Sequence, residues 1–271
     1  MRLNRETAYT TGTLRYVGHS MSSSLADVGA VFLLLASAIR AFPAAIRQKH
    51  LVIEQMMRVG IGSVPLVLVT SVFTGGVAAV QAAYQFQDYV PMRYLGTVIG
   101  KSVVIELGPV LTALVVGGRV GASIAAELGT MKVTEQVDAL ETLAIDPIRY
   151  LVAPRLIAGL VMLPVITIFA DFLAIMGGWV VALVGLHVNT HTFFSGLRIF
   201  FHASDVFSGL IKAVFFGGII ALMGCFHGMR AEGGAEGVGI ATTKAVVSSC
   251  LMILITDYIL ASLLFRGIFM G

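Results

Sequence analysis

Long stretches of this chain carry no charged residue. Residues 59–87, 156–170 and 172–197 are free of Asp, Glu, Lys and Arg. A helix needs about 20 apolar residues to cross the hydrocarbon core of a bilayer, and the chain as a whole is apolar, with a mean hydropathy of +0.92. The sequence therefore predicts an all-α membrane protein that crosses the bilayer several times.

The apolar stretches predict five transmembrane helices. They are expected at about 59–84, 94–118, 156–186, 206–229 and 245–265. An earlier apolar run, Val28–Ile39, has only twelve residues between charged neighbours, which predicts a helix that lies in the membrane interface. Residues 1–58 are then an amino-terminal segment with an interfacial helix, and residues 59–271 form the five-span domain.

The basic residues are distributed unevenly between the two sides of these spans. Thirteen Lys and Arg residues fall on one side and three on the other. The first group lies in 1–58, 119–155 and 230–244, and the second in 85–93, 187–205 and 266–271. Basic loops stay in the cytoplasm. The amino terminus and the 119–155 connection are therefore predicted to be cytoplasmic and the carboxyl terminus to lie outside.

The 119–155 connection holds a third of all the acids, namely Glu127, Glu135, Asp138, Glu141 and Asp146. On one continuous helix, four apolar side chains share a narrow arc beside three of these acids: Val133, Val137, Leu140 and Ala144. Asp146-Pro147 then predicts an N-cap followed by proline at the first position of a new helix. Such a helix suits docking to a partner, and equally suits packing under its own bundle.

The ionisable residues Glu106, Asp171, Lys212 and Asp257 fall within the predicted spans. A charged side chain at the centre of a membrane helix costs about 2.5–3.5 kcal/mol on insertion, unless it pairs with an opposite charge or contacts water. Glu106 and Asp171 are expected near mid-membrane, and Lys212 and Asp257 toward the outer half. Asp257 and Glu106 are the acids best placed to neutralise Lys212. The four residues are therefore expected either to form buried ion pairs or to line a polar cavity.

Two motifs that suggest other chemistry do not hold. In Gly233–Lys244, GGAEGVGIATTK, the last glycine is followed by Ile240 rather than by the Lys of a phosphate-binding loop. The segment instead predicts a turn before the fifth span, with Thr242 or Thr243 as its cap. His187 and His191 have the spacing of metal ligands but lack the accompanying glutamate, so no metal site is predicted.

Several glycines are spaced for close contact between helices. The pairs Gly75-Gly76, Gly177-Gly178 and Gly217-Gly218 produce flat helix faces, and so do Gly117 with Gly121 and Gly224 with Gly228. Such faces allow helices in lipid to approach each other closely. They predict close packing either within the chain or with a second copy.

One fifty-residue stretch resembles a known family. Residues 106–155, ELGPVLTALVVGGRVGASIAAELGTMKVTEQVDALETLAIDPIRYLVAPR, closely resemble the central signature of MlaE-type permeases. The ELGP start, the GRVG turn, the AELGTMKVTEQ-x-DAL core and the DP-x-RYLV-x-PR end are all present without a gap. These permeases are the membrane subunits of ABC transporters that work with MCE-domain proteins.

The resemblance implies a set of partners and a cargo. It implies a homodimer in the inner membrane of a diderm bacterium, bound to two ATPase subunits that hold the ATP and Mg²⁺. An MCE-domain protein, typically a hexamer, caps the outer face, and some systems add a STAS-domain protein. The cargo is phospholipid, moved between the inner and outer membranes to maintain outer-membrane asymmetry. No catalytic residue or cofactor is expected on this chain itself.

The resemblance also assigns roles to residues. The acid-rich connection becomes a coupling helix that enters a groove on the ATPase, through Glu127, Lys132, Glu135, Asp138 and Glu141. A lipid site is expected between protomers near the outer ends of the first, second and fifth spans, with Gln81, Phe86 and Tyr89 from the first. Glu106, Lys212 and Asp257 match positions where the family carries buried polar residues. The alternative function is an ion- or proton-coupled secondary transporter that uses Glu106, Asp171 and Asp257 as a relay.

Overall fold

The computed structural model describes residues 26–86, 90–199 and 201–269, with side chains up to residue 264. All regular elements in this part of the chain are helical, which confirms the all-α prediction. The helices are α1 (Ala26–Arg47), α2 (Lys49–Gly60), α3 (Val64–Phe86), α4 (Leu95–Ser102), α5 (Gly108–Val116), α6 (Ala122–Val133), α7 (Gln136–Thr142), α8 (Ala153–Val184), α9 (Thr190–Ile199), α10 (Ala203–Gly228) and α11 (Gly234–Phe269).

Six helical stretches are long and apolar enough to cross a membrane. They are Ala26–Arg47, Lys49–Phe86, Met92–Val133, Ile148–Val184, Ala203–Gly228 and Gly234–Leu264. The last five contain most or all of the five predicted spans. The first is longer than the predicted interfacial run, because Arg40 ends the apolar stretch without ending the helix. Beyond it, Ala41 and Ala45 remain buried against the bundle.

Irregular turns interrupt two of these stretches. The stretch from Met92 to Val133 contains two π-helical turns, Val103–Leu107 and Gly117–Gly121. A π turn takes one more residue than an α turn, so it rotates the side chains that follow, and such turns are frequent at functional sites. The first of them carries Glu106. Between α2 and α3 the short 3₁₀ turn Ile61–Ser63 bends the chain.

The glycine pairs pack within the chain. On α8, a Cβ at Gly159 would stand 2.5 Å from the carbonyl oxygen of Gly217 on α10, and a Cβ at Gly217 would stand 2.1 Å from the carbonyl oxygen of Gly159. The same helix meets α3 where a Cβ at Gly177 would stand 2.3 Å from the carbonyl oxygen of Val72. These glycines let α8 approach α3 and α10 backbone to backbone, so these faces serve the fold of one chain.

The close contact between α8 and α10 predicts that an added methyl group destabilises the protein at Gly217 but not at Gly118. We expect Gly217→Ala to lower the melting temperature of the purified protein, because the added methyl group overlaps a backbone carbonyl that cannot rotate away. Overpacking of this kind costs about 1–3 kcal/mol. Gly118→Ala is the matched control, since a Cβ there meets nothing within 4 Å. Equal melting temperatures for the two variants would contradict the close approach of α8 and α10.

The 119–155 connection does not contain the continuous helix that the sequence predicts across residues 133–144. Helix α6 ends at Val133, Glu135 takes a left-handed conformation (φ 62°) and α7 ends before Ala144 (φ 58°). The expected apolar arc is therefore broken, and its first and last members lie outside α7. Val137 is nevertheless buried and Leu140 packs against the core of the bundle. The apolar side of α7 faces its own chain.

Two predictions about helix starts have opposite outcomes. The capping prediction is confirmed, because the Ile148 N–H donates to Asp146 Oδ1 over 2.9 Å. The prediction of a Thr cap for the last span is wrong. Helix α11 begins at Gly234, after a turn in which Gly233 and Gly234 have positive φ, and Thr242 and Thr243 are already inside it. Glycine makes this early start possible because it accepts left-handed dihedral angles.

Candidate transport site and coupling surface

Three charged side chains from three separate elements meet inside the bundle. Lys212 on α10 has a side chain that is 1% exposed, and its Nζ lies 2.5 Å from Glu106 Oε2 and 2.8 Å from Asp257 Oδ1. Glu106 comes from the π turn Val103–Leu107 and Asp257 from α11. The predicted pairing of Lys212 is therefore present with both acids. The contacts place all three charged groups together.

The cluster is closed on one side and open on another. The side chain of Asp257 is 16% exposed, whereas that of Glu106 is 43% exposed. A buried ammonium group needs partners for its charge. Glu106 accepts a hydrogen bond from Lys212, and Asp257 forms an ion pair with it. One Glu106 carboxylate face thus remains available to polar groups outside the chain. This arrangement can hold three helices in register and interact with a polar ligand.

A second ion pair near this cluster was missed by sequence reasoning. Lys101 Nζ on α4 lies 3.4 Å from Asp205 Oδ2 on α10, and the Asp205 side chain is 3% exposed. Asp205 also accepts the N–H of His202 over 3.2 Å at the start of α10. The sequence near Asp205 indicates only a helix start, because Asp205 lies three residues after His202, the N-cap residue of a capping box. Nothing local indicates Lys101 as its partner.

The acids predicted to couple to an ATPase divide into two groups. Glu135, Asp138 and Glu141 are exposed on and beside α7. Lys132 Nζ lies 2.7 Å from Asp138 Oδ1, so this basic residue connects α6 to α7. The side chain of Leu143 is 70% exposed at the end of the same segment. The segment therefore presents an acidic face and one large apolar side chain to its surroundings.

Glu127 belongs to a network inside the chain. Its Oε1 lies 2.9 Å from Arg58 Nη1 on α2, and its Oε2 lies 3.0 Å from Arg155 Nη2 on α8. Arg155 is buried and also donates to the carbonyl oxygen of Leu151 over 2.8 Å. Glu127 thus ties α6 to α2 and α8. The two arginines are distant from Glu127 in sequence, so no local pattern could identify this network.

An apolar groove runs between α3 and α8. Its volume is about 750 Å³ and its walls include Phe73, Val80, Gln81, Tyr84 and Val180. Gln81 lies on this groove, whereas Phe86 is buried in the core beside α4. Tyr89, the third residue predicted for the lipid site, lies outside the described residues. Of the two residues that the structure describes, Gln81 lies on the open groove and Phe86 does not.

Comparisons with known proteins agree with this architecture. The Permease MlaE family profile matches residues 52–263. A probable ABC transporter permease of Rickettsia typhi is 45% identical over 216 residues, which cover 80% of this chain and 83% of that protein. A probable ABC transporter permease of Synechocystis is 45% identical over 215 residues, with 79% and 82% covered.

A further relative has a named cargo. The intermembrane phospholipid transport system permease protein MlaE of Haemophilus influenzae is 36% identical over 221 residues, which cover 80% of this chain and 85% of that protein. The region matched by the family profile, residues 52–263, includes both the charged cluster and the acidic segment. With six apolar helices and a family match over most of its length, this chain is a multi-pass membrane protein that belongs to the MlaE family of ABC transporter permeases.

Proposed function

We propose that this chain is the membrane subunit of an ATP-driven transporter that moves phospholipid between the inner and outer membranes, together with an MCE-domain protein. The structural observation that carries this proposal is the cluster of Glu106, Lys212 and Asp257. Charged groups inside a membrane bundle are costly and mark substrate pathways by default. A half-exposed carboxylate beside a buried ammonium group can interact with a phospholipid headgroup while the apolar helices around it accept the acyl chains.

A second copy of the chain completes the site in this proposal. The most apolar window of the last span is only 11% buried within one chain, and its large side chains Leu251, Leu254 and Tyr258 are exposed. The proposed homodimer covers part of this face and encloses the lipid between the protomers. The open side of Glu106 then faces the enclosed space, and Gln81 lies at its outer end.

The acidic segment couples this site to a separate ATPase. In our proposal Glu135, Asp138 and Glu141 contact basic residues of the ATPase, while Glu127 and Lys132 hold α6 and α7 in position. ATP and Mg²⁺ bind to the ATPase subunits. Their closure moves the two coupling segments together, and the ionic connections from α6 to α2 and α8 carry the movement to the spans, which expel the lipid.

Identification of the cargo in the intact complex tests this function. The complex is purified with its ATPase and MCE-domain partners, and the lipids that co-purify are identified by mass spectrometry. Reconstituted complex should then transfer the same phospholipid in the presence of ATP. Transport that persists when the ATPase cannot hydrolyse ATP, but stops when an ion gradient is collapsed, would favour the secondary transporter instead.

Topology provides an independent prediction. We expect a reporter fused after Gly271 to be active only outside the cytoplasm, because the basic residues lie so strongly on the opposite side. The length of α1 makes a second measurement necessary, since a sixth crossing would move the amino terminus to the outer side. A cysteine introduced near the amino terminus should therefore resist membrane-impermeant reagents in intact cells. A cytoplasmic carboxyl terminus would contradict the proposed position of the coupling segment.

A further inference from the structure

One buried carboxyl group is not explained by the transport site. Asp171 lies in the middle of α8 and is 9% exposed. Its Oδ1 is buried and makes no hydrogen bond within the part of the chain that the structure describes. In the same part of the chain Asp171 forms no ion pair, so it stands apart from the Glu106, Lys212 and Asp257 cluster. The sequence-based idea of a relay through all three acids has no contact to support it.

A carbonyl oxygen lies near Asp171 Oδ1. The position that a Cβ on Gly108 would occupy lies 1.7 Å from Asp171 Oδ1 and 3.0 Å from the carbonyl oxygen of Val103. Glycine at position 108 is therefore what makes room for the carboxyl group. The Val103 oxygen already accepts the Gly108 N–H that closes the π turn, but a carbonyl oxygen can accept a second hydrogen bond. The Val103 oxygen is thus a nearby acceptor for a proton on the Asp171 carboxyl group.

We propose that Asp171 is a proton-binding site, in which the carboxyl group carries a proton and donates it to the Val103 carbonyl oxygen. An ionised carboxylate without a partner in an apolar interior is so costly that the group takes up a proton instead. The proton comes from the aqueous phase and no other bond changes. The hydrogen bond connects α8 to the π turn that carries Glu106, so release of the proton would loosen the support of the lipid-facing cluster.

Gly108 also borders a small cavity of about 10 Å³, which is lined in part by Ser71 and Thr112. A cavity of that size holds at most about one water molecule. A hydrated sodium ion does not fit in this cavity, whereas a proton on Asp171 needs no cavity.

The other titratable groups on elements packed against α8 are paired or exposed, apart from the buried thiol of Cys225 on α10. Helix α5 contains none, and α3 contains only the exposed Tyr84. Those with an ionic or hydrogen-bonding partner are Glu54, Arg58, Lys101, Glu106, Arg155, Asp205, Lys212 and His227. Those that are exposed are Lys49, His50, Arg149, Tyr150, His191 and Arg198. None of them makes a recorded contact with Asp171 in the described part of the chain.

Infrared difference spectroscopy between the variants of the intact complex, in a detergent without ester carbonyl groups, tests the proposal directly. A protonated carboxyl group has a C=O stretching band apart from those of carboxylates and amides. We expect this band in the wild type at neutral pH, its loss in Asp171→Asn, and its retention in the control Glu236→Gln, which removes an exposed carboxyl group. Asn keeps an N–H donor for the Val103 oxygen, so this variant should fold. A band that is absent from the wild type, or that persists in Asp171→Asn, would overturn the proposal.

The dependence of stability on pH provides a second readout. A proton held by the folded state but not by the unfolded state makes unfolding easier as the pH rises. The wild-type melting temperature should therefore fall toward alkaline pH more steeply than that of Asp171→Asn. Equal slopes would contradict the proposal, and so would a band that sodium ions, rather than alkali, remove. Neither measurement depends on transport, so both remain informative whatever the cargo is.

Discussion

Replacing Lys212 with Ala is expected to abolish transport and to destabilise the protein by about 3–5 kcal/mol, the usual cost of removing one partner from a buried ionic group. The side chain is 1% exposed and bridges two acids. Without it, Glu106 and Asp257 face each other with no cation between them. The loss should appear as a lower melting temperature of the purified complex and as no lipid transfer after reconstitution.

Replacing Glu106 and Asp257 with neutral residues should restore assembly in the absence of Lys212. We expect the triple variant Lys212→Ala, Glu106→Gln, Asp257→Asn to recover most of the melting temperature, because no unpaired charge remains. Transport should stay low, since the proposed headgroup contact is gone. Lys244→Ala is the control, because Lys244 is exposed on the same span as Asp257 and surface changes usually stay within about 0.5 kcal/mol. Strictly additive effects of the three substitutions would show that the charges act separately.

Reversal of two acids in the coupling segment should uncouple the transporter without unfolding it. Glu135 and Asp138 are exposed, so their change to Lys leaves the bundle core intact. It also removes the exposed ion pair of Asp138 with Lys132, and such surface pairs contribute about 1 kcal/mol or less. The substitutions place like charges opposite the basic residues proposed on the ATPase, which costs several kcal/mol at an interface. We expect normal expression and dimer formation, together with loss of ATPase co-purification or of lipid-stimulated ATP hydrolysis, and no transport.

Two further variants separate docking from folding in this experiment. Glu236→Lys reverses an exposed acid outside the coupling segment and should leave ATPase binding unchanged. Complementary reversal on the ATPase should recover part of the function of the double variant. If the Glu135 and Asp138 double variant binds its ATPase and transports lipid normally, the acidic face is not the docking surface. Coupling would then depend on the apolar side chain of Leu143 or on another part of the chain.

The sequence alone determined the class of the protein and much of its helical organisation. Apolar stretches without charges leave a chain no alternative to helices in a membrane, because unpaired backbone groups are too costly in hydrocarbon. The same reasoning identified Lys212, Glu106 and Asp257 as partners, since ionisable residues in such stretches must neutralise one another. The short capping motif at Asp146 was also readable, because its hydrogen bond is local.

The tertiary structure decided what depends on contacts between distant segments. The length of α1, the break at Glu135 and the early start of α11 at Gly234 follow from packing and dihedral angles that composition does not record. The partners of Glu127 lie 69 and 28 residues away in sequence, and the approach of Asp171 to Gly108 is a contact between α8 and α5. Periodicity shows which face of a helix is apolar. Only the packed bundle determines which helix that face meets, because several faces of similar composition compete for each contact.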